Sequence, residues 1–319
     1  MTAPSSARPD AAATAVAADK RLIDRAVVPG VIERVRDVVR HRELLLNLVR
    51  KELKVKYKNS SLGFLWSLAN PALYLVVFYV VFQLILQSGI PSFPIYLLCG
   101  LLPWTFFATA VGGATASVVQ NAPLVTKVSF PREILPLATI GAAFVHFLLQ
   151  TLVLLVALIV FQHSPAWDYM PILIPAVIAM VLFASAVGIF LAAANVYLRD
   201  VQHLVELMLL AWFWMTPVVY TYRQVADRMG SWAFIYLLNP MTDVVISFQR
   251  ALYNILTGPA GGSGGLSHSS GPGPLPILPD EPVWWYLRNL GIVIVASSVL
   301  LVLALRFFGK CEGNFAEEI

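Results

Sequence analysis

Apolar residues gather into six long runs along the chain, at roughly 64–87, 97–119, 134–161, 171–196, 203–222 and 286–308. A helix needs about 20 mostly apolar residues to cross the hydrocarbon core of a bilayer. The pattern therefore predicts an all-α integral membrane protein with six transmembrane helices. Ahead of the first run the periodicity changes. Between Val31 and Lys58 apolar residues recur at helical spacing, and Val35, Val38, Val39, Leu45, Leu46, Leu48, Val49 and Leu53 form one predicted stripe. Arg34, Arg36, Arg40, Arg50, Lys51, Lys54, Lys56 and Lys58 surround it. A basic amphipathic helix beside a span is expected to lie in the interface, drawn to anionic membrane lipids, and residues 31–58 are assigned to one. A solvated linker would leave the apolar stripe unused.

The stretch between the fifth and sixth runs reads differently. In 223–256, Ser231–Leu238 is too short to span, Asn239-Pro240 breaks it, and Met241–Leu256 carries Asp243 and Arg250. A re-entrant hairpin on the outer side fits better than two crossings. The Gly/Pro/Ser-rich residues 257–283 follow, and composition predicts a flexible external loop. His268 stands alone in it and does not suggest a metal site. Residues 1–30 read as a disordered cytoplasmic tail, since Ala11–Ala18 is too weakly apolar for a signal-peptide core. Residues 311–319 read as a second short cytoplasmic tail.

Charge sets the expected orientation. Of 22 lysines and arginines, 18 fall on one side if both termini are inside, leaving Arg223, Arg228, Arg250 and Arg288 outside. The excess of basic residues marks the cytoplasmic side, so the prediction is N-in and C-in. Only 13% of residues are charged, against 58% hydrophobic, and soluble domains carry about 25% charged residues. The net charge of +4 does not point to nucleic acid, because the cations flank apolar runs instead of forming a soluble basic face. Cys99 and Cys311 suggest neither a disulfide framework nor a metal site. Trp104 and Trp284–Trp285 read as interfacial anchors.

The spans hold few ionisable groups. His146 reads as a packing residue and Glu206 lies near a span end, too little for a proton relay. Gly309-Lys310 lacks the upstream glycine of a phosphate-binding loop, and no HExxH, GxSxG nucleophile elbow or acidic sugar-nucleotide cluster is found; Gly261-Gly262-Ser263-Gly264-Gly265 fits the letters of GxSxG only inside a Gly/Pro/Ser-rich stretch. The chain is expected to be no enzyme and to bind no cofactor; uphill movement would be driven by another polypeptide. One polar break stands out. "NAPLVTKVSFPREILPLA", Asn121 to Ala138, brings Lys127, Arg132 and Glu133 between Pro123, Pro131 and Pro136. Pro123 suits the start of a short helix and Pro131 would break it. Such a connector either docks on a moving partner or merely sets topology.

Four ordered stretches resemble the ABC-2 type permeases of polysaccharide and polyol-phosphate export, the Wzm-like exporters of O-antigen, galactan or teichoic acid. They are "NSSLGFLWSLANPALYLVVFYVVF" (Asn59–Phe82), "GLLPWTFFATAVGGATASVVQNAPLVTKVSFPREILPLA" (Gly100–Ala138), "NVYLRDVQHLVELMLLAWFWMTPVVY" (Asn195–Tyr220) and "LLNPMTDVVISFQRALY" (Leu237–Tyr253). The resemblance implies a six-helix ABC-2 domain over 59–310, a homodimer, and two separate ABC ATPase subunits that bind ATP and Mg. It implies export of a lipid-linked cell-envelope polysaccharide across the bacterial inner membrane. Residues 121–136 are then a cytoplasmic coupling segment and 223–256 a gate hairpin. Lys127, Phe130, Pro131, Arg132, Glu133, Arg199 and Asp200 are the expected ATPase-coupling residues, with Phe130 an apolar anchor and Lys127, Arg132 and Glu133 at its rim. Tyr74, Phe78, Phe82, Trp212, Trp214 and Tyr220 are candidate rings for a sliding glycan, or else packing aromatics. A drug or small-lipid ABC-2 exporter, an ion-coupled lipid-oligosaccharide flippase and a membrane-embedded transferase are the alternatives.

Overall fold

The structure, a computed structural model, describes residues 30–56, 65–85, 90–128, 130–258 and 275–318. The expected 1–30 tail, apart from Gly30, and the middle of the expected loop lie outside the described residues. Helices α1 (Val31–Arg40) and α2 (Arg42–Lys56) come first, and α3 (Leu65–Phe78) continues into a π-helical stretch, Tyr79–Ile85. Then follow α4 (Phe93–Gln120), α5 (Ala122–Lys127), α6 (Ile134–Val160), α7 (Leu173–Tyr197) and α8 (Val201–Trp214). Three short helices come next, α9 (Tyr222–Met229), α10 (Ala233–Tyr236) and α11 (Pro240–Phe248), the last running on as a π-helical turn over Gln249–Tyr253. Strands β1 (Thr257–Gly258) and β2 (Leu275–Pro276) precede α12 (Val283–Cys311) and a terminal turn, α13 (Phe315–Glu318).

Among the described residues four helical stretches are long and apolar enough to cross a membrane: Phe93–Gln120, Ile134–Val160, Trp167–Tyr197 and Val283–Asn314. They match the second, third, fourth and sixth apolar runs. The first and fifth runs form shorter apolar helices, Pro71–Phe82 and Val201–Trp214. Helix α3 runs unbroken through Pro71, and residues 57–64 and 86–89 on either side of this stretch lie outside the described ones. Pro217 steers the residue before it away from helical geometry, just after α8 ends.

Helix α4 packs against α6 and α7, and α12 lies along α7. In lipid, helices associate through close backbone approach, which favours small residues at the contact. Gly188 on α7 shows this, because a Cβ there would come within 2.9 Å of Ala114 on α4. Among the described residues the buried apolar side chains form two clusters. One gathers Phe93, Phe107, Phe183, Tyr253 and Tyr286 around the start of α4, α11 and the start of α12. The other gathers Leu48, Val118, Val125, Phe308 and Phe315 around the end of α4, α5 and the end of α12. Because α4 runs from the first cluster into the second, the bundle has two distinct ends.

Several sequence expectations change. The predicted helix over 31–58 is interrupted at His41, whose N–H caps α1 by donating to the Asp37 and Val38 carbonyls. Its single stripe divides. Val38, Leu45, Leu48 and Val49 face the bundle, whereas Val35, Val39 and Leu46 are exposed. Trp104 is no interfacial anchor: it lies within α4, 5% exposed, with its ring 5.7 Å from those of Phe107 and Phe213. The loop expected over 257–283 is structured at both ends. Thr257–Gly258 pairs with Leu275–Pro276, the Ile277 N–H donates to the Leu256 carbonyl at 2.8 Å, and Ile277 and Leu278 are buried. The apolar sequence LPIL supplies side chains for that burial, which a count of glycines and prolines overlooks.

Candidate functional site

At one end of the bundle the polar connector joins α4 to α6. Asn121 ends α4, and Pro123 falls in the first turn of α5, where its missing N–H has no helical partner to lose. The Asn121 amide donates to the Ser117 carbonyl at 2.8 Å, and its oxygen accepts from Lys51 Nζ on α2 at 2.7 Å. The helix ends at Lys127, four residues before Pro131, because the chain is already extended at Val128. The break expected at Pro131 thus comes earlier. Ser129 lies outside the described residues.

Beyond that break the connector meets both termini of the described chain. Arg34 of α1 is 7% exposed, and its Nη1 ion-pairs with the Glu133 carboxylate, 1% exposed. The same Nη1 lies 3.0 Å from Glu312 Oε2, just past α12. Arg132 adds a second link, since its backbone N–H points to Glu312 Oε1 at 3.4 Å and its guanidinium donates to the Glu312 carbonyl. Burial is the largest influence on Glu133 and pushes its carboxyl up; Glu312 pushes the same way, and Arg34 opposes them. For Arg34 burial works against the charge, but the two carboxylates outweigh it and its pKa is raised. Arg34 reaches this position because Gly309 has no side chain, as a Cβ there would lie 2.5 Å from Arg34 Cζ.

The expected coupling residues therefore divide. Lys127 is exposed beside the exposed apolar side chain of Val128, while Arg199 and Asp200 are exposed in the turn between α7 and α8. Phe130 is half-buried against the apolar cluster at this end. With Pro131, Arg34, Asp37, His41, Glu133 and Glu312 it lines a cleft of about 330 Å³. Glu133 does not sit at an exposed rim; its carboxylate is inside, neutralised by Arg34. Arg132 is half-buried and engaged with the chain's own end, 6.0 Å from the Phe315 ring centroid.

At the other end lie the aromatic candidates. Tyr74, Phe78 and Phe82 fall on one side of the first apolar helix, with ring centroids 6.0 and 5.6 Å apart. The row continues to Phe93 at 4.5 Å, then Tyr96 and Tyr253. Trp212 packs edge-on against Phe107 and Phe183, and its Nε1 donates to Asn239 Oδ1 at 2.9 Å. Tyr220 meets Tyr236 hydroxyl to hydroxyl. Trp214 points outward, 61% exposed, and its carbonyl accepts from the Tyr220 hydroxyl at 2.6 Å. The structure thus ties Trp212 and Tyr220 to residues of the 223–256 segment, and Tyr74, Phe78 and Phe82 to a separate row of rings.

That segment has a buried half. Every residue from Met241 to Tyr253 is buried. Asn239 begins α11 by accepting from the Met241 N–H at 3.1 Å, and Asn254, in the left-handed region at φ 56°, follows its π-helical end. Gln249 Nε2 donates to the Pro217 carbonyl at 3.0 Å, and Arg250 lies 3.8 Å from the centroid of the Tyr169 ring. Asp243 is buried as well. Among the described residues no group of three or more metal-binding side chains occurs.

Sequence reasoning missed Arg34, Gly309, Glu312 and Asn239 as organising residues. Arg34 was readable in part, because Val31, Arg34 and Val38 share the inward face at spacings of three and four. Nothing in the pattern pointed to Glu312, whose partners lie far away in sequence.

Comparison with known proteins completes the description. The O-antigen export system permease protein RfbA of Myxococcus xanthus is 37% identical over 223 residues, covering 70% of this chain and 85% of that protein. A protein of the same name from Klebsiella pneumoniae is 32% identical over 275 residues, covering 86% and 94%. The polysialic acid transport protein KpsM of Escherichia coli is 23% identical over 217 residues, covering 64% and 79%. The sequence pattern of ABC-2 type transporters matches residues 43–253. The chain belongs to the ABC-2 type transporter family.

Proposed function

We propose that this chain is the membrane permease of an ATP-driven exporter that carries a lipid-linked cell-envelope polysaccharide, O-antigen-, galactan- or teichoic-acid-like, across the bacterial inner membrane. The observation that carries the reading is similarity over most of the chain's length to permeases named for O-antigen export. Two copies of the chain form the membrane unit, and two ABC ATPase subunits bind ATP and Mg and supply the energy. The apolar helices of 59–310 then make six crossings with both termini inside.

In this reading the connector end is cytoplasmic. Exposed Lys127 and Val128, with half-buried Phe130 beside them, offer the ATPase a cation next to apolar surface. Arg199 and Asp200 extend the contact from the neighbouring turn. Binding at such surfaces rests on a few aromatic and arginine anchors, and the prolines of the connector stiffen it against bending. The opposite end is the outer one. Residues 223–256 gate the exit, with Met241–Tyr253 as the seated part, and the aromatic rings give sugar faces sequence-tolerant stacking surfaces.

The experiment is depletion of the protein in its native cell, followed by chemical identification of what accumulates. Lipid-linked polysaccharide on the cytoplasmic side is the expected result. Accumulation of a small lipid or drug instead would replace the cargo assignment.

A further inference from the structure

The connector is continuous with α4 and α6, so any displacement of it reaches those two helices through the chain itself. No such covalent route leads directly to α12. The residues that follow α12 make polar contacts with the connector, beside the apolar cluster that Val125 and Phe130 share with Phe308. Glu312 accepts from Arg34 and from the Arg132 N–H, while its carbonyl accepts from the Arg132 guanidinium. Phe315 is fully buried three residues on, edge-on to Phe308 of α12 with ring centroids 5.2 Å apart. The Tyr197 hydroxyl at the end of α7 donates to the Cys311 carbonyl at 3.0 Å. That bond holds the last residue of α12, and the Tyr197 ring, 6.2 Å from that of Phe315, also touches the chain beyond it; the end of α12 and the residues after it are thus fixed on three sides, by α1, by the connector and by α7.

The charges make this a specific junction. Arg34 is shared between two carboxylates, and Gly309 leaves the space its guanidinium fills. Arg34 Nε is buried with no hydrogen-bond partner among the described residues, so the guanidinium is held from its Nη1 side. Directional contacts of this kind resist sliding more than apolar packing does.

We propose that Glu312 is a positioning residue: through Arg34 and Arg132 it fastens the 121–133 connector to the end of α12, so that displacement of the connector moves the last long helix together with α4 and α6. The inference rests on the coupling reading of the connector given above.

The test uses the permease with its ATPase, reconstituted in proteoliposomes with lipid-linked glycan extracted from the producing cells. Glu312→Gln is expected to keep ATPase co-purification and ATP turnover within about twofold of wild type, and to move at least fivefold less glycan per ATP. Glu312→Asp is expected to recover half or more of that loss. An unchanged ratio in Glu312→Gln, loss of ATPase capture by that variant, or no recovery in Glu312→Asp would each overturn the proposal. A second arm needs no ATPase. In the purified permease, hydrogen exchange at the Arg132 amide, which donates to Glu312 Oε1, should quicken at least tenfold in Glu312→Ala, which removes that oxygen, and an unchanged rate would overturn the fastening itself. If the wild-type complex moves no glycan, the transport reading fails while the exchange arm still decides whether the fastening exists.

Discussion

Arg34 Nη1 lies 3.0 Å from Glu312 Oε2, joining the first described helix to the residue just past the last long one. Between them sits Glu133, paired with the same guanidinium and almost wholly buried. Removing one partner of a buried ion pair leaves an uncompensated charge and costs about 3–5 kcal/mol. Arg34→Met should therefore lower the thermal midpoint of the purified protein by several degrees at neutral pH. Glu133→Gln, which removes charge but keeps shape, should lower it much less. Equal losses in the two variants would show that packing, not charge, holds the junction.

The pH dependence follows from Glu133. Burial first, and Glu312 second, raise its carboxyl, so the folded protein holds that proton where the unfolded chain has released it. The stability this gives is fully present below the ordinary glutamate value of about 4.3 and is lost as pH rises through the raised folded value. Wild type should gain stability as pH falls through that window, and Glu133→Gln should show a flatter profile across it. Parallel wild-type and Glu133→Gln profiles of melting temperature against pH would contradict the assignment.

Asn239 makes a sharper test of the outer end in the proposed orientation. Its oxygen caps α11 and accepts from Trp212 Nε1, and its amide donates to Thr216 Oγ1 at 3.0 Å. Loss of a cap costs about 0.5–2 kcal/mol, and an unpaired half-buried donor adds about 1 kcal/mol or more. Asn239→Ala should raise hydrogen exchange across Met241–Tyr253 while leaving α6 protected. Uniform exchange changes in both would mean that Asn239 stabilises the whole bundle instead of seating this segment.

Much of this architecture was readable in advance, and the failures have causes. Apolar run length located every long helix among the described residues because a membrane core imposes one dimension on all of them. It said nothing of depth within the bundle, so Trp104 passed for a boundary residue although its ring packs with Phe107 and Phe213. Charge counting treated Arg34 and Glu133 as surface groups, because exposure is the ordinary fate of such residues. Their burial depends on Glu312 and on the bare Cα of Gly309, contacts made across hundreds of residues. The aromatic residues were found as a set, but which rings stack together is fixed by helix packing that no local spacing encodes.

Gly309 carries a prediction that separates crowding from helix propensity. A Cβ there would collide with Arg34, whereas Gly313 has nothing within 4 Å of the same atom. Alanine favours a helix over glycine by about 1 kcal/mol, so propensity alone would make Gly309→Ala stabilising within α12. Displacement of Arg34 should win, and Gly309→Ala should melt below wild type while Gly313→Ala does not. A rise in the melting temperature of Gly309→Ala would remove Gly309 from the junction.

ATP-driven export is the central claim, and translocation in inverted membrane vesicles tests it most directly. The vesicles would carry this chain with its ABC ATPase and radiolabelled lipid-linked glycan on the outer, formerly cytoplasmic, face. With the proton gradient collapsed by a protonophore, adding ATP should move glycan into the protected lumen, and a non-hydrolysable ATP analogue should not. Movement that persists without ATP and stops with the protonophore would contradict the account.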